Sequence, residues 1–496
     1  MKKIFLASLL LLLALAAGAR AATRLDKIRF GSFPDKMRAV LDFDGTFLYS
    51  LDESKEQIIV HLQGAEAAPE IQTYIDVGDM LVRYFEVEKE EDGLKITIPL
   101  SQPVPYNVFQ LDDPPRLVID FDRQFTNVVS GGTIIDGVEH LIVSKGNENG
   151  MVTAHVLKVD LNKADVSPAL ARKDKPNVLQ SFVSLFGAWK AQSDDSHFYR
   201  ARVSTIAEEQ QAVAAVNGTY FAYTGRPLGS LLIDKELVST PVYDRTALII
   251  DDDHKTYIDT VLVDCYFISV NGVKYPIGGV NQGRDQDATV LYTPAWGEQT
   301  GTAGDGVELI VSGSVVKEIK PGNSAIPPDG YVISLSGAAV PSVGDNVKVG
   351  DKIDLHIKVV PYATSPATIR HMISGGPRLV KEGVVYVSKN EEKFKSDIAT
   401  GRAARTAVGI TRDNKLLLVT VDGLPRDKSL RDDRSSIGVT LEELAELMIN
   451  LGAVEAMNLD GGGSTTMWID GKVVNKPAAG YEQYVSNALV IAPRTN

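Results

Sequence analysis

A single cysteine in 496 residues removes two kinds of explanation at once. With only Cys265 the chain cannot close an internal disulfide, and it cannot build a zinc site on cysteine ligands. Cys265 sits in the apolar run VLVDCYFISV, where a small buried side chain is the simplest reading. An excess of positive charge is missing too. Lys and Arg number 51 against 64 Asp and Glu, a formal net charge of -13. Phosphate backbones are gripped by Lys/Arg excess, so the balance argues against a nucleic-acid binder and leaves room only for local basic pockets. Long apolar runs are absent after the N-terminus. The one such run, Ile4 to Ala17, follows Met1-Lys2-Lys3 and precedes Ala19-Arg20-Ala21. At roughly 14 residues it is short for a membrane-spanning helix. Basic start, short apolar core and small-x-small exit make a secretory signal peptide over residues 1–21, with a membrane anchor as the competing reading. The expected product is a periplasmic or extracellular protein with no transmembrane segment after signal removal.

Short apolar or alternating runs divided by Gly, Pro and Asp fill residues 24–125: KMRAVLDF, EQIIVHLQG, GLKITIPL and PRLVIDFD. They predict a small all-β, sandwich-like domain. TNVVSGGT, residues 126–133, reads as a linker. From 134 to 496 many strands mix with few helices, so the fold class is α+β, a β-rich mixed α/β domain behind the small sandwich. Helices are predicted over 203–215 and 440–452. In the second, Thr440 and Glu443 form a capping box. Leu441, Leu444, Ala445, Met448 and Ile449 make one stripe, and Gly452 supplies the stop. VEAMNLD then reads as a buried strand, and TTMWIDGKVV as a hairpin turning at Asp470-Gly471.

Between that strand and that hairpin lies NLDGGGSTT, residues 458–466. Consecutive glycines let successive amides converge on an anion. Ser464 and Thr465 add hydroxyls, and Asp460 a carboxylate able to act as acid or base; the plainer reading is a tight β-turn. Other apolar strands end in Asn217-Gly218, Gly375-Gly376 and Asp422-Gly423. Each alone is a turn; together they suggest one rim where bare backbone meets a ligand. Arg402 and Arg405 precede an apolar strand, and Arg378 follows the paired glycines; Arg suits bidentate phosphate contact, and surface arginines are the alternative. AVLDFDGTFLYS has the Asp-x-Asp-Gly-Thr form of haloacid-dehalogenase-type phosphatases at Asp42, Asp44 and Thr46. The strand that follows and the small size of the block favour an Asp-Gly turn instead. Asp251-Asp252-Asp253 reads as a solvated loop.

Two resemblances organise these pieces. MRAVLDFDG with VFQLDDPPRLVIDFDR (108–123) resembles the AMIN domain of bacterial envelope proteins, which implies a β-sandwich-like module that binds or localises to the cell wall. The larger part resembles the phosphodiester glycosidase family. The matching pieces keep the family's order: AAVNGTYF, GGVNQGRD (278–285), VLYTPAWGEQTGT (290–302), AIPPDGYVIS, SGGPRLVKEG, ARTAVGI, the stretch 439–477 containing ELA…LG…NLDGGGS, and VSNALVI. The resemblance implies hydrolysis of a sugar-1-phosphodiester at the glycosidic C1–O bond, on N-acetylhexosamine or a related sugar of envelope glycopolymers.

Carried over by position, the implied site comprises Asn217, Arg378, Arg405, Asp422, Asn458, Asp460, Gly461, Gly462, Gly463, Ser464, Thr465 and Asn475. Asp460 is the leading carboxylate, with Asp422 as partner. Arg378, Arg405 and the glycine amides would hold the phosphate. The family commonly has an Arg two residues before the Val of the last strand, where this chain has Gln483. The implied partners are the sugar phosphodiester and, through the N-terminal domain, peptidoglycan or another wall glycan. No cofactor is required by the sequence, and a divalent metal stays open. The alternatives are a catalytically inert wall-binding scaffold that keeps the fold, and a phosphodiesterase cutting P–O.

Overall fold

Alternation of buried and half-exposed positions builds the N-terminal unit. In the computed structural model, which describes residues 22–172, 197–241, 243–344, 346–432 and 435–494, the chain divides into two compact units after Phe125. The expected signal peptide lies outside the described residues. In the first unit Lys36–Phe43, Gln57–Gln63 and Gly93–Pro99 bury every second side chain, the period of a strand with one face in a core. Two five-stranded sheets result. Leu41, Ile58, Phe85, Ile96 and Phe121 are fully buried, each contributing roughly 1.5–3 kcal/mol of apolar transfer. Arg123, itself buried, ties Asp79 (2.6 Å), Ser32 and the Phe33 carbonyl together. Asp42 is held bidentately by Arg29 at 2.6 and 2.7 Å, and Asp44 accepts the Arg24 amide at 2.8 Å. Both carboxylates of the phosphatase-like motif thus serve this sheet.

In the second unit sheet dominates. Strand makes up 52% of the described residues against 7% helix, so packed sheets rather than helical layers set the architecture. An eight-stranded antiparallel sheet runs in the order Phe125–Ile135, Val138–Asn147, Gly150–Asp160, Lys415–Val421, Arg405–Thr411, Ala453–Asn458, Arg378–Lys381, Val384–Val385. A five-stranded sheet runs Ala164–Leu170, Asn487–Pro493, Ala214–Asn217, Met467–Ile469, Lys472–Val473. Leu157, Val216, Val408, Met457, Leu459, Met467 and Leu489 share one core cluster, so the two sheets are packed across it. Two further sheets, built around Thr256–Ile268 and Gly330–Ser336, share a second core with Phe267 and Ile333 inside.

Residues 126–133, read above as a linker, form the body of the strand Phe125–Ile135. Gly131 explains the difference: a Cβ there would stand 2.1 Å from His140 Nδ1, so this glycine lets one strand pass close to the next. The helix expected over 203–215 ends at Glu209, and Ala214–Asn217 is a strand. Ala214, Ala215 and Val216 are wholly buried between Asn487–Pro493 and Met467–Ile469, and that burial overrides the helix preference of alanine. The helix Leu441–Asn450 forms as expected. Glu443 N–H donates to Thr440 Oγ1 (3.2 Å) and Thr440 N–H to Glu443 Oε2 (3.0 Å), while Gly452 takes φ +97° after its end. The hairpin turns through Asp470 (φ +43°) and Gly471 (φ +83°), the pair of positive angles that Asp-Gly tolerates.

Candidate active site

The strand Ala453–Asn458 belongs to the large sheet and Met467–Ile469 to the five-stranded one, so NLDGGGSTT carries the chain from one sheet to the other. Asn217 fixes that crossing. Its Nδ2 donates to the Asp460 carbonyl at 2.6 Å. Its Oδ1 accepts Thr406 Oγ1 at 2.7 Å and the Thr466 amide at 3.1 Å. The side chain is fully buried and bonded on both sides of the crossing, so Asn217 shapes the loop. Two of the three glycine amides are likewise engaged within the protein: Gly461 N–H with Asp460 Oδ1 (2.9 Å) and Gly462 N–H with the Ala404 carbonyl (2.8 Å). The expected cradle of free amides is therefore largely closed. Glycine is needed here for fit. Gly462 holds φ +61°, and a Cβ on Gly463 would stand 2.5 Å from Gln483 Oε1 and 2.6 Å from Arg426 Nη2. A guanidinium thus does stand at the loop beside Gln483, supplied by Arg426.

Asp460 lies at the head of the loop. Burial pushes its carboxyl up to about 6, against the Ser464 hydroxyl and Gly461 amide that favour the charged form. Asn458, one of whose amide hydrogens must serve two acceptors, donates to Tyr220 Oη (2.8 Å), Leu459 O (2.6 Å) and Gly376 O (3.2 Å), and its buried Oδ1 has no partner. Tyr220 Oη donates to the Gly376 carbonyl at 2.8 Å. Burial and the Asp460 charge drive the Tyr220 phenol upward, so it stays protonated, a donor beside a carboxylate.

Three arginines stand in different states. Arg378, expected to grip phosphate, is ion-paired with Glu455, and its backbone N–H donates to Ser388 and Glu392. Strand pairing aligns Arg378–Lys381 with Ala453–Asn458, which brings Glu455 to it, so its charge is already answered. Arg405 is 4% exposed and, among the described residues, donates only to carbonyls, of Ile398 (3.0 Å), Gly401 (3.1 Å) and Val439 (3.4 Å). Burial without a carboxylate partner lowers its pKa. Arg245, absent from the sequence reading, lies 4.1 Å over the ring of Phe394, and its buried Nε has no partner. Phe394 is in turn 5.8 Å from Tyr220, and the charges of Arg245 and Arg405 both act on that phenol. A signal for Arg245 existed: Arg245-Thr246-Ala247 repeats Arg405-Thr406-Ala407, each opening a buried strand.

The second carboxylate belongs to a different pocket of bonds. Asp422 is 2% exposed, and burial pushes it up to about 6. Its Oδ1 accepts the Lys476 amide at 2.9 Å, and Asn475 bonds it from the side. Asn475 also donates to Thr465 O (3.1 Å) and accepts from the Met467 amide (2.7 Å). Asp422 therefore reaches the glycine loop through Asn475, with no hydrogen bond to Asp460 among the described residues. The Thr465 and Thr466 hydroxyls are buried without partners. The acidic triplet is structural: Asp251 accepts the Asp253 and Lys255 amides at 3.0 and 2.9 Å, and Asp252 pairs with Lys235.

The phosphodiester glycosidase family matches residues 305–492, and the AMIN domain matches residues 85–128. N-acetylglucosamine-1-phosphodiester alpha-N-acetylglucosaminidase of Bos taurus is 31% identical over 116 residues, 22% of this chain and 20% of that protein. An uncharacterised SPbeta prophage-derived protein of Bacillus subtilis (strain 168) is 36% identical over 88 residues, 18% of this chain and 12% of that one. The chain thus spans about a fifth or less of the curated relatives it matches. A hypothetical protein from Synechocystis has the same fold at a TM-score of 0.60 and 22% identity, covering 96% of this chain and 81% of that one. A putative exported protein from Burkholderia pseudomallei follows at 0.55 and 16%, covering 94% and 96%. Residues 305–492 thus match the phosphodiester glycosidase family, and residues 85–128, ahead of them in the sequence, match the AMIN domain.

Proposed function

We propose that the second unit hydrolyses sugar-1-phosphodiesters by breaking the glycosidic C1–O bond. The observation that carries this reading is a carboxyl poised near 6, Asp460, whose charge acts on the protonated Tyr220 phenol, on which two guanidinia without carboxylate partners among the described residues, Arg245 and Arg405, also act. At neutral pH Asp460 is mostly ionised. It would take a proton from water as that water's oxygen bonds to C1. The C1–O electron pair would leave with the phosphate monoester, whose charge the two arginines would balance. A phosphate leaving group needs little protonation, so one carboxylate at the reacting centre suffices. Asp422 would then act through Asn475, as a positioning group for the loop.

The wider setting belongs to the same proposal. The N-terminal residues fit a signal peptide, and the AMIN domain fits attachment to peptidoglycan or another wall glycan. Among the described residues no helix is long and apolar enough to cross a membrane. The substrate would then be a sugar phosphodiester of the cell envelope, with the boundary between the two activities near residues 126–133. An inert scaffold is the second reading, favoured by the closed glycine amides and by Arg378 already paired with Glu455.

The test is hydrolysis of a synthetic N-acetylglucosamine-1-phosphodiester by the wild type and by Asp460→Asn, run in ¹⁸O-water. Label in the sugar and a loss of turnover in the variant are expected. Label in the phosphate product would convert the assignment to P–O cleavage. Absence of turnover on a panel of sugar phosphodiesters would leave the scaffold reading standing.

A further inference from the structure

The loop that leaves Asn217 passes Tyr220 and doubles back, Leu228 N–H donating to Tyr220 O and Ala222 N–H to Arg226 O, each at 2.8 Å. Its tip, with Thr224 and Arg226, lines a cavity of about 740 Å³ whose walls include none of the active-site residues described above. That volume lies inside the ordinary range of small-ligand sites, roughly 300–1,000 Å³. The remaining walls come largely from GGVNQGRD and VLYTPAWGEQTGT, stretches to which no role has fallen so far.

These walls are fixed from behind. Glu308, fully buried, accepts Thr302 Oγ1 at 2.6 Å, Thr300 Oγ1 at 3.1 Å and the Ser324 amide at 2.8 Å. Arg284 donates to Ser334 Oγ and the Ala303 carbonyl at 2.9 Å each and pairs with Asp305. The Trp296 indole donates to Thr300 O (3.1 Å) and the Tyr292 hydroxyl to Gln282 O (2.8 Å). A buried polar network of this kind keeps a cavity open at a set shape.

Among the described residues, four lining side chains are not tied up in that way: Thr224, Arg226, Asp285 and Gln286. The half-buried Arg226 has one long contact, 3.4 Å to Gln282 Oε1, and the Asp285 charge acts on it. Together they offer donors and acceptors with one cation balanced by one anion. An anionic ligand would meet Asp285 and a cationic one Arg226; vicinal hydroxyls suit both. Aromatic side chains line the cavity as well, those of His197, Phe198 and Trp296. His197 stacks on Trp296 at 4.1 Å and 18°, with Phe198 edge-on to the same indole at 5.8 Å.

We infer that this cavity is a second binding site, for a neutral sugar unit. The inference goes beyond the hydrolytic reading and does not need it, because binding here would persist in a chain that cleaves nothing. The experiment is calorimetric titration of the whole chain with N,N′-diacetylchitobiose, cellobiose and maltose, with and without inorganic phosphate. Saturable binding of at least one disaccharide is expected. Its affinity should fall at least tenfold in Arg226→Gln and in Asp285→Ala, stay unchanged in Asp460→Asn, and resist competition by phosphate. Asp285 is exposed, so its replacement leaves the fold intact, and an unchanged melting temperature verifies this. No binding of any of the three sugars, unchanged affinity in Asp285→Ala, or displacement by phosphate would each overturn the site.

Discussion

At Asp460, function and stability pull in opposite directions. An aspartate lifted from 3.8 to about 6 by burial favours the folded chain while it is protonated. That contribution is complete below about pH 4 and is lost as pH rises through about 6, a swing of roughly 1–3 kcal/mol. Asp460→Asn removes the buried charge. The variant is expected to melt above the wild type at pH 8 and to lose this advantage by pH 4. Its turnover should fall about 10²- to 10⁴-fold, the usual weight of a general base. In the wild type, activity should climb through about pH 6. Equal melting of the two proteins across that range, or a flat acid limb, would count against an ionising Asp460. The arginines separate the same way. Arg378→Ala strands Glu455 without its partner, and a stability loss of roughly 1–3 kcal/mol is expected. Arg245 bonds to no carboxylate among the described residues, so Arg245→Gln should leave the melting temperature within a few degrees while raising KM or lowering kcat. Thermal melts beside steady-state kinetics decide, and the reverse ranking would return the phosphate role to Arg378.

Elements differ in how much of themselves they announce. The helix Leu441–Asn450 was legible because its signals are local: a cap, a stripe and a stop within thirteen residues. Thr440→Ala should cost about 1 kcal/mol, since it frees the Glu443 amide, and a melt unchanged within error would show that tertiary packing alone holds the helix. The Asp-Gly hairpin was legible for the same reason. Residues 203–215 were not, because Ala214 and Ala215 are decided by burial between two distant strands. Within the site, the acids and the bare loop could be read from residue type. The engagement of Asn217 with Thr406 and of Arg378 with Glu455 could not, since each pairing joins elements 77 to 189 residues apart. Arg245 could have been found from the repeated Arg-Thr-Ala, but its burial on Phe394 is a tertiary fact.

At the scale of the molecule, charge and modular order set the remaining expectation. A net charge of -13 gives no long-range attraction to an anionic polymer, so encounter with a wall glycan would rest on a dedicated module. The first unit is a candidate for that role, since it forms its own core and the two carboxylates of its phosphatase-like motif serve its sheet. Two substitutions and one truncation separate the activities. Asp42→Asn should leave hydrolysis of a small soluble phosphodiester untouched and at most loosen the first unit, through loss of its pair with Arg29. Removal of residues 22–125 should leave kcat on that substrate within about twofold, but abolish co-sedimentation with purified peptidoglycan. Asp460→Asn should do the opposite, sedimenting like the wild type while losing most of its turnover. If the truncated chain still sediments with peptidoglycan, wall affinity resides in the second unit, and the neutral-sugar cavity beside Arg226 becomes the first place to look for it.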